Sequence, residues 1–132
     1  MAPLGKPRII ALEEHYWDKE VAATFAPMDG VRGAPGILER LYDYGDLRIK
    51  EMDAAGIDVQ VLSHGAPATQ RLDGEAAVKL ARGANDRLRE IVRAHPDRFG
   101  AFACLPTADP KAAADELERT VTKLGFKGAM VH

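Results

Sequence analysis

Four apolar runs of strand length alternate with three stretches of helical periodicity, and few folds accommodate that alternation. The runs occupy residues 8–15 (RIIALEEH), 57–63 (IDVQVLS), 99–105 (FGAFACL) and 126–132 (FKGAMVH), each close to the usual length of a strand. Between the first two, Asp46 is placed to cap a helix that carries Met52 and Ala55 toward a core, with Gly56 as its left-handed stop. Between the second and third, Asp73 precedes a long pattern in which Ala77, Leu80, Ala81, Ala84, Leu88, Ile91 and Val92 recur at helical steps before His95-Pro96 ends it. Between the third and fourth, Asp109-Pro110 reads as an N-cap followed by proline at the first helical position. Ala113, Leu117, Val121 and Leu124 then form the apolar stripe, and Gly125 closes the helix. The spacing predicts an α/β chain of parallel strands joined by right-handed helical crossovers.

The chain has 132 residues, 46% of them hydrophobic and 29% charged, which suits one globular domain spanning 1–132 with a single core. Its net charge of −2 is spread along the whole sequence with signs mixed, so nothing marks a surface for nucleic acid or anionic membrane. The lone cysteine, Cys104, excludes an internal disulfide framework and a cysteine-based zinc site; within FGAFACLP it reads as a small buried apolar residue. The N-terminus has no long apolar run, so neither a signal peptide nor a membrane span is expected, and a cytoplasmic setting follows. Neither GxGxxG nor GxxxxGK[ST] occurs, which removes the common nucleotide-cradling versions of such a fold.

In parallel α/β folds, ligands bind at the carboxyl ends of the strands. That rule places His15, His64 and His132 at the binding end and His95 at the other, where it reads as a helix-terminus histidine. His64, in a loop with glycine and proline, reads as a solvated residue or a ligand. Residues 16–36 form an irregular stretch of about twenty residues beside the first strand, long enough to suggest that it covers a site. Strand alternation would put Glu13 and His15 on one face and Glu14 on the other. A carboxylate and an imidazole converging at a strand end can hold a divalent ion in a mixed nitrogen and oxygen site. The same pair could instead hydrogen-bond each other or an arginine, and two donors do not close a site.

The blocks ALEEHY, RIKEMDAAGIDVQVLS (48–63), ANDRL (84–88), HPDRFGAFACLPTADP (95–110) and ELERTVTKLGFKGAMVH (116–132) together resemble the amidohydrolase-related metal-dependent decarboxylases. Their order and spacing are most similar to the branch acting on γ-resorcylate and 5-carboxyvanillate. The resemblance implies the N-terminal half, about four β/α units, of a (β/α)8 barrel that binds one divalent ion, zinc or manganese. It implies that Glu13 and His15 are the first-strand metal ligands, that Arg48 or its neighbours meets a substrate carboxylate, and that His132 stands at a polar active-site position. The other expected ligands, a histidine and a proton-donating aspartate, would lie beyond residue 132, so no complete catalytic set is expected within the chain. The implied reaction is non-oxidative decarboxylation of a hydroxylated aromatic carboxylate, in a homo-oligomeric enzyme of aromatic compound breakdown. A hydrolase, lactonase or hydratase of the same superfamily, a non-catalytic half-barrel that self-associates, and an unrelated doubly wound binding module stay open as alternatives.

Overall fold

The structure is a computed structural model and describes residues 5–25 and 35–132. Three parallel strands, β1 (Ile10–Tyr16), β2 (Val59–His64) and β3 (Phe99–Ala101), lie side by side in that order. The helices are α1 (Lys19–Ala22), α2 (Ile37–Tyr42), α3 (Asp46–Ala55), α4 (Gly74–Ala94) and α5 (Pro110–Lys123). The α/β class and the parallel crossovers expected from the sequence are both present. Of the irregular stretch 16–36, residues 26–34 lie outside the described residues; its start is not structureless, because α1 forms there under an Asp18 cap.

One face of the sheet carries the core. Tyr16, Leu62, Phe99, Ala101 and Ala103 pack there with Met52 of α3, Leu88 of α4 and Phe126. Along α4 the buried residues Ala77, Ala81, Ala84 and Leu88 follow the helical stripe, and their small size lets the helix lie close to the sheet. Burying such side chains supplies the largest favourable term in folding.

Several boundaries differ from expectation, each for a local reason. Asp46 is the first residue of α3 and caps nothing. Asp43 takes that role, its Oδ1 accepting from the amides of Gly45 at 3.1 Å and Arg48 at 2.8 Å. Ala55 is exposed, leaving Met52 as the only buried residue of α3, and Val121 of α5 is likewise 43% exposed. Asp73 precedes α4 without a side-chain cap bond, whereas Asp109 does accept from the amide of Ala112. The fourth strand is reduced to one parallel bridge, Ala103 to Ala129, flanked by Lys127 N–H to Ala101 O and Met130 N–H to Ala103 O. Gly128, at φ 152°, takes a conformation that only glycine adopts readily and so interrupts a regular ladder there.

Two buried polar clusters tie helices to strands. Asn85 is fully buried, and its side chain meets Cys104 as another strand's peptide would. Nδ2 donates to the Cys104 carbonyl and Oδ1 accepts from the Cys104 amide, each at 2.9 Å. Asn85 also donates to Glu116, which Arg119 clasps with bonds of 2.7 and 2.8 Å while reaching Asp86. Asp18, 5% exposed, caps α1 and receives two bonds from Arg87 of α4 at 2.6 and 2.8 Å.

Candidate metal centre

The first strand does not run regularly. Ala11 pairs with Gln60, but Glu14 pairs with Leu62, so Leu12 and Glu13 together oppose the single residue Val61. This is a β-bulge, and Glu13 sits in it with φ 58°, in the left-handed region. An unbroken ladder continued from Ala11 would carry His15 to a place opposite His64, on the core face. The extra residue shifts the phase instead, so that His15 pairs with Ser63 and Tyr16 with His64. Side chains of paired neighbours share a face, so His15 lies on the face opposite the core, with Ser63 and Val61. Glu14 shares the core-side phase with Leu62. The expected split between Glu14 and His15 therefore holds, but Glu13 owes its place to the bulge rather than to simple alternation.

His15 Nδ1 is 3.0 Å from Ser63 Oγ, and its Nε2 has no hydrogen-bond partner among the described residues. The Glu13 carboxylate is exposed and has neither a hydrogen-bond nor an ion-pair partner among them. His132 joins the group: its ring meets that of His15 edge to face with centroids 5.6 Å apart. The His132 Nε2 lies 3.0 Å from the His64 carbonyl, to which it can only donate, and its amide donates to Gln70 Oε1 at 3.2 Å. With Nε2 donating, the remaining acceptor position of an uncharged imidazole is Nδ1.

Arg48 is not brought to this face. Its guanidinium donates to the carbonyls of Asp43, Arg40 and His15 at 2.9, 2.9 and 3.0 Å and to Gln60 Oε1 at 3.3 Å. Gln60 in turn donates to Glu14 at 2.9 Å. These partners put the Arg48 side chain on the core side of β1, joining α2, α3 and both strands, so the structure gives it a fold-making task where a substrate contact was expected. Glu14 is drawn into the same network as a structural partner.

His64 is neither solvated nor available as a ligand: it is 2% exposed at the end of β2. Its Nδ1 faces the Gly65 carbonyl at 2.7 Å, while Nε2 accepts the Asp18 amide at 3.1 Å, which fixes a neutral ring. Burial pushes its pKa below the ordinary histidine value despite those bonds. His95 ends α4 and packs on Phe99, as a helix-terminus histidine should. Cys104 is buried and carries no reactive environment; burial raises its thiol, and Thr69 is its hydrogen-bonding neighbour at 3.2 Å. Sequence reasoning missed Ser63, Asp18, Arg87 and Asn85. The first is an unremarked polar residue in an apolar strand, and the others gain meaning only through partners far along the chain.

A parallel sheet joined by helical crossovers, with a histidine on its free face at the carboxyl end of the first strand and a bulged glutamate beside it in sequence, defines the class as part of a parallel α/β barrel. The comparison with known sequences then fixes the family. The amidohydrolase family's profile matches residues 12–132, and the chain belongs to that family. It is 46% identical over 127 residues to the γ-resorcylate decarboxylase of a Rhizobium species, covering 93% of this chain and 38% of the relative. Among solved structures it is similar to a Polaromonas dihydroxybenzoic acid decarboxylase with bound manganese and the inhibitor 2-nitroresorcinol. The TM-score is 0.81 at 42% identity, over 96% of this chain and 39% of that one. The manganese-bound 5-carboxyvanillate decarboxylase of Novosphingobium aromaticivorans gives a TM-score of 0.84 at 32% identity, over 95% and 41%. The fold is accordingly part of the amidohydrolase (β/α)8 barrel, and the chain spans about two-fifths of the length of these relatives.

Proposed function

We propose that the chain supplies the first-strand part of the metal site of a decarboxylase acting on hydroxylated aromatic carboxylates. The observation that carries this reading is the bulge, which sets His15 on the free sheet face and leaves its Nε2 and the exposed Glu13 carboxylate without hydrogen-bond partners among the described residues. An oxygen and an imidazole nitrogen suit zinc or manganese, so the residues present fit the ion as two of its ligands. Glu13 would bind through its carboxylate and His15 through Nε2, while His132 offers Nδ1 as an acceptor beside them. A bound divalent ion would supply a Lewis acid that orients a carboxylate and its neighbouring hydroxyl. No group of three or more His, Cys, Asp or Glu that could hold a metal occurs among the described residues. We therefore assign the remaining ligands and the proton donor to the ring carbon to sequence outside them. The same reading takes the working form as a cytoplasmic homo-oligomer; no helix among the described residues is long and apolar enough to cross a membrane.

The test is manganese-dependent release of CO2 from 2,6-dihydroxybenzoate by the protein that carries this sequence, with hydrolysis of aromatic esters and lactones assayed in parallel. Decarboxylation abolished by His15→Ala and strongly reduced by Glu13→Gln is the expected result. Hydrolysis without decarboxylation would assign the site to the other chemistry of the superfamily. Turnover at ordinary enzyme rates by the 132 residues alone would refute the assignment of the other ligands to sequence elsewhere.

A further inference from the structure

We propose that Ser63 is a positioning residue that orients the His15 imidazole for metal binding. The proposal rests on the reading of His15 as a ligand, and it starts from a register that neither residue dictates alone. Because Leu12 and Glu13 share one place in the ladder, His15 stands directly across from Ser63, close enough for the 3.0 Å contact between Nδ1 and Oγ. Ser63 is wholly buried, and its hydroxyl has no other hydrogen-bond partner among the described residues.

A neutral imidazole carries one N–H and one lone pair, and the partner of one nitrogen decides what the other presents. With the Ser63 oxygen accepting from Nδ1–H, the lone pair rests on Nε2, the nitrogen that has no hydrogen-bond partner among the described residues. A serine hydroxyl can also rotate and donate to Nδ1, so it grips the ring plane in either tautomer. Metal-binding histidines in general rely on such a partner on their second nitrogen. Carboxylates and backbone carbonyls are the usual choices, whereas here a neutral, buried hydroxyl on the neighbouring strand occupies that place. It aims the ring without adding charge near the site.

The experiment measures manganese affinity by electron paramagnetic resonance in the wild type, Ser63→Ala and His15→Ala. Thermal unfolding of each protein without metal is recorded alongside. Removing the outer partner of a metal-binding histidine typically weakens affinity about 10–100-fold, so Ser63→Ala is expected to bind manganese at least about tenfold more weakly. Its metal-free melting curve should stay close to that of the wild type. Ser63→Cys, which keeps a weaker hydrogen-bonding group of similar size, should fall between the two. Nitrogen-15 spectra of the zinc-loaded protein give a second signature: the His15 Nδ1–H proton should exchange slowly in the wild type and rapidly in Ser63→Ala. Unchanged affinity and exchange in Ser63→Ala, with affinity lost in His15→Ala, would overturn the role of Ser63 and leave His15 a ligand. Unchanged affinity in His15→Ala would overturn the ligand reading, and the role of Ser63 with it.

Discussion

Asn85→Ala should be among the most damaging single changes in the chain, and its cost can be worked from three hydrogen bonds. The wild-type carboxamide satisfies both the amide and the carbonyl of Cys104 and donates to Glu116, all at 2.9 Å in a fully buried site. Neither backbone group of Cys104 has another partner among the described residues, so truncation leaves two buried peptide groups unpaired, each costing about 1–3 kcal/mol. Glu116 keeps its two bonds from Arg119, so its loss is small. A total near 4 kcal/mol follows, a large share of the roughly 5–15 kcal/mol that holds an ordinary domain together. Urea unfolding followed by circular dichroism measures it. Asn85→Leu, which is nearly isosteric, separates the possible causes: it refills the space but leaves the same groups unpaired, and it should be about as destabilising as alanine. Recovery of most of the stability by leucine would refute the hydrogen-bond account and make the site a matter of packing. If alanine gives no cooperative transition, Asn85→Ser, which keeps one hydroxyl beside the peptide, provides the measurable member of the series.

Arg48→Met should lower stability by about 2–4 kcal/mol, because three backbone carbonyls and Gln60 lose their donor; a raised KM for an aromatic carboxylate at unchanged melting temperature would return Arg48 to substrate binding. Burial alone would raise the Asp18 carboxyl, but the bonds from Arg87 and the amides of Val21 and Glu20 outweigh it and leave the pKa lowered. The resulting stability is present above the unfolded carboxyl value of about 4 and is lost as pH falls through the lower folded value. Arg87→Met should therefore move the acid-unfolding midpoint upward, and an unmoved midpoint would contradict the pairing. His64, with its pKa lowered by burial, adds stability above about pH 6.5 that diminishes as pH falls toward the folded value. His64→Gln should flatten that part of the profile, measured by urea unfolding between about pH 5 and 8. Finally, β1 has no strand on its outer side among the described residues and exposes Ile10 at 54% and Leu12 at 58%, an edge that invites pairing. The isolated 132 residues should self-associate in sedimentation velocity and do so less as Ile10→Lys, whereas a monomer at high concentration would contradict this.

The parallel fold was legible because its cause is local: apolar runs of strand length, an Asp-Pro start, and a glycine stop at Gly56 with φ 72°. The Ala77 to Leu88 stripe predicted the buried side of α4 because packing depends on spacing alone. Residues 126–132 were misjudged because their strand pattern is contradicted by one glycine conformation that composition does not reveal. Val121 and Ala55 lie on helix faces whose covering elements the periodicity cannot supply. The site was legible in its residue types, Glu13 and His15, and illegible in its geometry, since a bulge is a mismatch between two strands and neither shows it alone. Arg48 and His64 illustrate the remaining gap. A charged or titratable side chain can look like a reagent until its partners, some nearby and some as far along the chain as His15 is from Arg48, prove to be carbonyls and amides.

The bulge in β1 also acts as a length standard. Because one strand carries a residue more than its partner across the same rise, deleting either Leu12 or Glu13 would give a smoother sheet with every backbone group still in reach of β2. The residue left would pair with Val61 while Glu14 would still face Leu62 and His15 would still face Ser63, so the imidazole would keep its place. Such a protein should fold at least as readily and keep the nitrogen donor, losing the carboxylate only where Glu13 is the residue removed. Natural variation in this strand should therefore tolerate the loss of one bulge residue better than the gain of another, which would have to enlarge the bulge or move His15 to the other face.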